Sequence, residues 1–499
     1  MKMQELQWCM SQGYTNQQAA EHLGINERTV RRWKERMRPE SYQASANDDG
    51  STLGSYKTFV ITSAVNATKA HTGFLKSLRV YCDANDAKLL VIPLRYRNPT
   101  RKEETPDDYW CPSITPDLLT ERTKIANGLV ALADIKIQPT AVNPLQGWLT
   151  VSGSDSAILG HTKVALQSVP TKVGDPAKLV MTTGACTVPS YSDTNAGAKG
   201  HYHHCLGAVV VEIDGKHSHI RHVLGAHDGS FIDLDMEYTR YGVSEASRAS
   251  VLTMGDIHAY QVDKKALVAT EKLAARISPV AICAHDVLDF SSASHHAGYF
   301  ERYRLHSNGR NSVLKELEVT ASVLERIAGW ADETIMIGSN HHQHMEQWLA
   351  KHENALDLEN ALVFHETKSA MLRAIHEGSY LDPFQHWMDQ LMREPQRLKW
   401  LKPGEHFIRH KIDFSSHGHK GPNGARGSTK AFANIGAKTV TGHSHSPAII
   451  DGAYTVGTTS KLKLGYNLDS PSSWHHSHCI TYANGKRTLI HCVNGRFFR

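Results

Sequence analysis

The sequence predicts an α/β protein that begins with a small all-α head, and three observations carry that expectation. Residues 1–38 are dense in helix formers and give way to a small, polar, turn-prone stretch at 39–56. From Lys57 onward, β-type apolar runs alternate with segments of helical period. From about residue 250 the apolar runs recur as short strands, and nearly every one ends in an aspartate, an asparagine or a histidine. The expected layout is a helix-turn-helix domain at 1–38, a linker at 39–56, an α/β accessory domain at 57–245 and a second α/β body at 246–499.

In the head, Thr15-Asn-Gln-Gln18 has the spacing of a capping box, in which the first side chain and the fourth each satisfy the other's backbone N–H. Ala19, Ala20 and Leu23 fall on one face of the helix it opens, Gly24 permits a sharp turn, Ile25 packs and Asn26 caps a second helix over Glu27 to Met37. The Ala20, Gly24, Val30 spacing supplies a small residue where two helices cross, a bare turn and an apolar anchor, which is the steric skeleton of a helix-turn-helix. Six Lys/Arg and two Glu between Asn26 and Arg38 give this segment +4 of the chain's formal +5. Asn26, Arg28, Arg31, Arg32 and Lys34 are therefore the candidate DNA-facing residues; a helical head used only for protein contacts is the alternative.

The accessory region opens with a strand at Thr58 to Thr62, a helix from His71 to Asp83 and a strand at Lys88 to Ile92, a βαβ unit. Residues 100–125 read as a loop, and Leu206 to Ile213 reads as a strand with an Asp214-Gly215 turn behind it. No cofactor fingerprint occurs in this region.

Composition excludes several classes. With 499 residues, 40% hydrophobic and 21% charged, the chain can bury large cores and is neither disordered nor fibrous. It has no apolar run of membrane-spanning length and no signal-peptide pattern at its start, so no membrane partner is expected and the expected location is a cytoplasm. Eight dispersed cysteines without a C-x-x-C pair point to reduced thiols. Histidine is the anomaly: of 32, 29 follow residue 200.

Those histidines concentrate where strands end, and a strand end holds a side chain rigidly over a cleft. Val251 to Met254 leads to Asp256-x-His258, and Val280 to Cys283 to His285-Asp286-x-x-Asp289. A helix at Val313 to Ala331 and a strand at Thr334 to Ile337 lead to Asn340-His341-His342. Helical stretches at about 345–377 and 383–393 precede Phe407 to Phe414, which leads to His417, and Lys438 to Thr441 leads to Gly442-His443-x-His445. Hairpin turns follow at Asp451-Gly452 and Asn484-Gly485. Carboxylate, imidazole and amide donors without thiolate suit Mn, Fe, Zn or Ni.

The ordered set D-x-H, D-x-x-D, N-H, H, G-H-x-H resembles the calcineurin-like metallophosphoesterase superfamily over about residues 250–465. The resemblance implies a β-sandwich flanked by helices (αββα) and two divalent metals roughly 3.5–4 Å apart, bridged by a carboxylate and a hydroxide. It places one metal on Asp256, His258, Asp286 and His445, the other on Asp286, Asn340, His417 and His443, and gives His341 the catalytic role of stabilising or protonating the leaving oxygen. The sequence departs from the family at His285 and Ser339, where the family has glycine, and at His342, where it has an acidic residue. A second G-H-x-H at Gly200 to His203 breaks the order and is the alternative to 442–445.

The superfamily includes phosphatases, small-molecule phosphodiesterases and nucleases. Head, α/β middle and histidine-rich body together resemble the early host-DNA-degrading nucleases of tailed phages, which implies a manganese-dependent deoxyribonuclease acting in the host cytoplasm, with Fe, Zn, Ni or Mg as other metals and a homo-oligomer as a possible state. The other readings are a phosphatase or small-molecule phosphodiesterase with a non-catalytic head, and a DNA-binding regulator with a relic metal site.

Overall fold

The computed structural model describes residues 15–27, 29–30, 53, 55–96, 109–294, 297–402, 404–464 and 467–499. Arg28, Arg31, Arg32, Lys34 and nearly all of the expected linker lie outside them. The chain forms two compact units, Met1–Ser55 and Tyr56–Arg499.

In the first unit, helix α1 (Asn16–Leu23) opens on the expected capping box: Thr15 accepts from Gln18 N, and the Gln18 side chain accepts from Thr15 N at 2.9 Å. It stops at Gly24, whose left-handed backbone (φ 58°) a side chain would strain. Ala19, Ala20, Leu23 and Val30 form a small core with Ile25 against it, and Thr29 N donates to Asn26 O as the second helix begins.

The second unit begins with β1 (Thr58–Val65), α2 (Thr72–Asn85, capped by His71) and β2 (Ala87–Leu94). The first and last are parallel, as the βαβ pattern requires. Five strands follow: β3 (Arg122–Ala126), β4 (Leu129–Leu132), β5 (Ser156–Leu159), β6 (Leu166–Val169) and β7 (Lys178–Thr182). Helix α3 (Asn195–His203) precedes the hairpin of β8 (Gly207–Asp214) and β9 (His217–Leu224), which joins β1 in a four-stranded sheet of order β2-β1-β8-β9. A meander of β10 (Phe231–Asp233), β11 (Met236–Thr239) and β12 (Gly242–Glu245) completes this half.

The rest of the chain runs β13 (Val251–Thr253), α4 (Lys264–Ile277), β14 (Ala281–Ala284), α5 (Tyr299–Ser307), α6 (Val313–Ala328), β15 (Glu333–Met336), α7 (Asn340–Ala350), α8 (Ala361–His376), α9 (Pro383–Leu391) and β16 (Leu398–Trp400). Then come β17 (Ile408–Arg409), β18 (Ile412–Asp413), α10 (Thr429–Ala433), β19 (Lys438–Thr441), β20 (Ala448–Ile450), β21 (Ala453–Thr455), β22 (Ser477–Thr481) and β23 (Arg487–His491). β13 to β16 are parallel neighbours in a six-stranded sheet of order β16-β15-β14-β13-β22-β23. Leu267, Leu273 and Ile277 of α4 and Leu317, Leu324 and Ile327 of α6 share one core with Leu252, Ile282, Met336 and Ile480 of that sheet, because their 3.6-residue spacing puts each set on one helix face.

Two expectations need correction. Residues 57–245 do not form a body separate from 246–499: a ten-stranded sheet of order β17-β18-β19-β21-β20-β6-β7-β5-β4-β3 crosses residue 245, with Leu166 and Gln167 of β6 paired to Ile449 and Ala448 of β20. Such a pairing of distant segments leaves no local pattern in the sequence. Phe407 to Phe414 is a hairpin rather than one strand, since His410 and Lys411 both take left-handed backbone (φ 52° and 61°), the geometry of a two-residue turn.

Candidate metal centre

The carboxyl ends of strands from both large sheets converge. In the six-stranded sheet, β13 delivers Asp256 and His258, β14 delivers His285, Asp286 and Asp289, and β15 delivers Asn340 and His341 at the start of α7. In the ten-stranded sheet, β18 leads to His417 and the parallel β19 to His443 and His445. The ends of parallel strands are where an open sheet exposes side chains to a cleft.

The groups so assembled are close. His445 Nε2 lies 3.1 Å from Asp256 Oδ2 and 3.1 Å from His258 Nε2. Asp286 Oδ2 lies 3.2 Å from His417 Nε2 and 3.8 Å from both His258 Nε2 and His341 Nε2. Asp256, His258 and His445 form one group whose ligand atoms lie within metal-binding reach of one another, and Asp286, His417 and His443 form another. All but half-buried His443 are buried. The Gly200 to His203 pair is elsewhere, in α3, where His203 Nδ1 sits 3.3 Å from Asp451.

Three features fit this site to cations. Asp256 Oδ1, Asp286 Oδ1, Asn340 Oδ1, His417 Nε2 and His445 Nδ1 are buried with no hydrogen-bond partner among the described residues, an arrangement that is costly unless something else satisfies it. His258, Asp286, His443 and His445 all take left-handed backbone (φ 44°, 43°, 75° and 57°), a strain that clusters at functional sites. A Cβ at Gly442 would collide with Asp256 Oδ1, so the glycine of G-H-x-H lets a carboxylate press against the chain; Asp256 Oδ2 there accepts from His443 N at 2.8 Å.

Electrostatics agree with the geometry. Burial alone would raise the Asp256 carboxyl, but the His417 and His445 imidazoles outweigh it and hold it down to about 2. Asp286 is likewise driven well below the usual carboxylate range by His417 and His341 against the effect of burial. Burial opposes charge on His258, yet its hydrogen bond to Asp289 and the fields of Asp286 and Asp289 raise it to about 9. Two Nε2 atoms 3.1 Å apart, on His258 and His445, cannot both present lone pairs, so a proton or a cation must lie between them.

Several residues around the candidate ligands acquire roles that the motif did not give. The Asp289 carboxylate accepts from His258 Nδ1 at 3.1 Å and the Asp289 carbonyl accepts from His341 Nδ1 at 2.9 Å, so both rings turn Nε2 toward Asp286. Asp289 is visible in the D-x-x-D spacing. Ser339, in place of glycine, caps α7 by accepting from His342 N. His342 is buried and accepts from Val287 N at 3.2 Å, bracing the loop after Asp286. His285 lies with its Nδ1 3.4 Å from His417 Nδ1. Glu316 of α6 is fully buried and its carboxylate accepts from Ser291 N and Ser292 N at 3.0 and 2.8 Å; its only sequence signal is an acidic residue on the inward phase of an apolar helix.

The molecule is thus a mixed α/β protein with a buried His–Asp centre able to bind metal and a helix-turn-helix head. Residues 4–43 match the family model of the homeodomain-like domain. Protein A1 of Escherichia phage T5 is 34% identical over 466 residues, spanning 89% of this chain and 83% of that protein. The chain belongs to the family of phage T5 Protein A1. Two solved structures of Vps29 mutants from Entamoeba histolytica are each 12% identical and cover 38% of this chain and 99% of theirs with a TM-score of 0.20, too low to carry an argument. Among the described residues no helix is long and apolar enough to cross a membrane.

Proposed function

We propose that this chain is a metal-dependent deoxyribonuclease of a phage, hydrolysing phosphodiester bonds at the converged strand ends. One observation carries the reading: donors that the sequence orders as D-x-H, D, N, H and H-x-H meet from two sheets, and Asp256, Asp286, Asn340, His417 and His445 each bring a buried, unsatisfied oxygen or nitrogen. Asp256, His258, Asp286 and His445 would hold one divalent cation, and Asp286, Asn340, His417 and His443 a second, with Asp286 shared. Manganese is the proposed metal. When bound, the cations supply an acidified water and positive charge facing the phosphodiester. The αββα arrangement of the calcineurin-like metallophosphoesterases is part of this proposal.

The chain's own groups do the rest. Asp289 fixes the Nδ1 protons of His258 and His341, leaving His258 Nε2 as a donor atom to a cation. His341 is only partly buried, so its Nε2 can reach substrate and pass a proton to the leaving oxygen. In the head, Asn26, Arg28, Arg31, Arg32 and Lys34 would face DNA and raise its local concentration at the centre.

Incubation of the full chain with supercoiled plasmid, linear duplex and bis-p-nitrophenyl phosphate, in Mn²⁺, Mg²⁺ or EDTA, tests the proposal. Degradation of both DNAs in Mn²⁺ and not in EDTA is expected. Turnover of the small ester alone would establish a small-molecule phosphodiesterase, and DNA binding without any turnover a regulator.

A further inference from the structure

Helix α5 (Tyr299–Ser307) buries none of its side chains. Tyr299, Phe300 and Tyr303 are 79%, 84% and 66% exposed, so the aromatic content of this helix contributes nothing to a core. A short helix without an inward face gains little from packing, and three large exposed rings in five residues call for a partner. Arginines interleave with them: Arg302, whose Nε donates to Ala297 O at 3.0 Å, and Arg304, paired to Glu301 at 3.0 Å.

The helix stands beside the candidate centre. Its N-terminal side follows the loop that begins at Asp289, and beyond its C-terminus Arg310 lies over the Tyr260 ring at 4.3 Å and donates to Tyr260 O, two residues past His258. Beneath α5 runs a groove of about 450 Å³. Arg302 and His306 of α5 line it together with Lys351, Glu353, Asp357 and His344, whose ring lies 4.8 Å from that of His341.

We propose that α5 and this groove seat an unpaired strand of the nucleic-acid substrate, with bases stacked on Tyr299, Phe300 and Tyr303 and the backbone turned toward Arg302 and Arg304. The inference rests on the deoxyribonuclease reading and extends it: the strand entering the centre is splayed from its complement. Stacking on aromatic faces tolerates any base.

The test measures binding of a short fluorescein-labelled single-stranded oligonucleotide to the full chain in EDTA by anisotropy, alongside bis-p-nitrophenyl phosphate turnover in Mn²⁺. The combined Tyr299→Ala, Phe300→Ala, Tyr303→Ala variant is expected to bind the oligonucleotide roughly tenfold or more weakly, with small-ester turnover unchanged, whereas Phe300→Trp binds at least as tightly as the parent. Undiminished oligonucleotide affinity in the triple variant, parallel loss of small-ester turnover, or conversion of an oligomer to a monomer with affinity retained would each overturn the proposal, the last in favour of a subunit contact. If the parent degrades DNA and the triple variant does so equally well, only the role of α5 fails; if the parent leaves DNA intact while hydrolysing the small ester, the nuclease reading fails and this proposal with it.

Discussion

Two buried polar clusters in the same compact unit differ in how completely their charges are satisfied. On β9, Arg221 donates through Nε and Nη2 to Asp233 at 2.6 and 2.7 Å and through Nη1 and Nη2 to Glu212 at 2.9 and 3.0 Å, and Tyr81 OH adds a bond to Asp233. Every polar side-chain atom of these four residues is free of the unsatisfied state that marks Asp256, Asp286, Asn340, His417 and His445. Tyr81, Arg221 and Asp233 are buried, as are Asp256, Asp286, His417 and His445. The first cluster is complete within the protein and fixes β8, β9 and the meander to α2; the second is incomplete and has Asp286 and His445 on left-handed backbone. Unsatisfied donors on strained backbone, more than burial or charge, distinguish a site from a brace.

The comparison breaks first at Asp286. Asp286→Asn removes the charge shared by both candidate metal groups and should lower hydrolysis of DNA and of bis-p-nitrophenyl phosphate by about 10³-fold or more, by analogy with loss of a principal electrostatic element. Metal content by mass spectrometry should fall with it. The stabilisation of the parent by Mn²⁺, about 2.7 kcal/mol when the metal is at a hundred times its Kd and read as a rise in melting temperature, should vanish. A parent that shows no Mn²⁺ shift would contradict the assignment. His341→Ala should cost about 10²- to 10⁴-fold in turnover while metal content stays intact; loss of metal instead would make His341 a ligand.

Arg221→Met tests the other side. It leaves Asp233 and Glu212 buried without their shared cation, a change worth about 3–5 kcal/mol of stability, read by urea denaturation. Mn²⁺ content per folded molecule should not change. A variant that keeps its stability would show that the two carboxylates find other partners.

The candidate ligands were legible because each is local: an apolar run of three or four residues, then a donor at fixed spacing, as in Val251 to His258. The capping box at Thr15 and the bare turn at Gly24 were legible for the same reason. What escaped is nonlocal. Nothing near Leu166 signals its pairing with Ile449, so the middle region reads as a separate body although it extends the sheet that carries His417, His443 and His445. His285 is a departure from the motif in sequence, and its approach to His417 exists only in three dimensions.

Glu316 lies between the two clusters in character, which gives the smallest expected effect. Its carboxylate accepts from two backbone N–H groups, as a brace does, but burial and the nearby charge of Asp289 raise it to about 7. Between the ordinary glutamate value near 4.3 and that value, the unfolded chain releases a proton that the folded chain retains, so folding stability must fall as pH rises through this window, by at most about 4 kcal/mol. Below the window both states are protonated and above it both are ionised, so the slope disappears on either side. Glu316→Gln removes the ionisation, and its amide oxygen can still accept one N–H while its NH₂ faces the other, at a cost of about 1–3 kcal/mol. Urea denaturation in EDTA at pH 5 and pH 7.5 should therefore show the parent losing stability over the interval and the variant, lower at pH 5, changing less. A variant with the parent's pH dependence would assign that slope to the histidines of the centre instead.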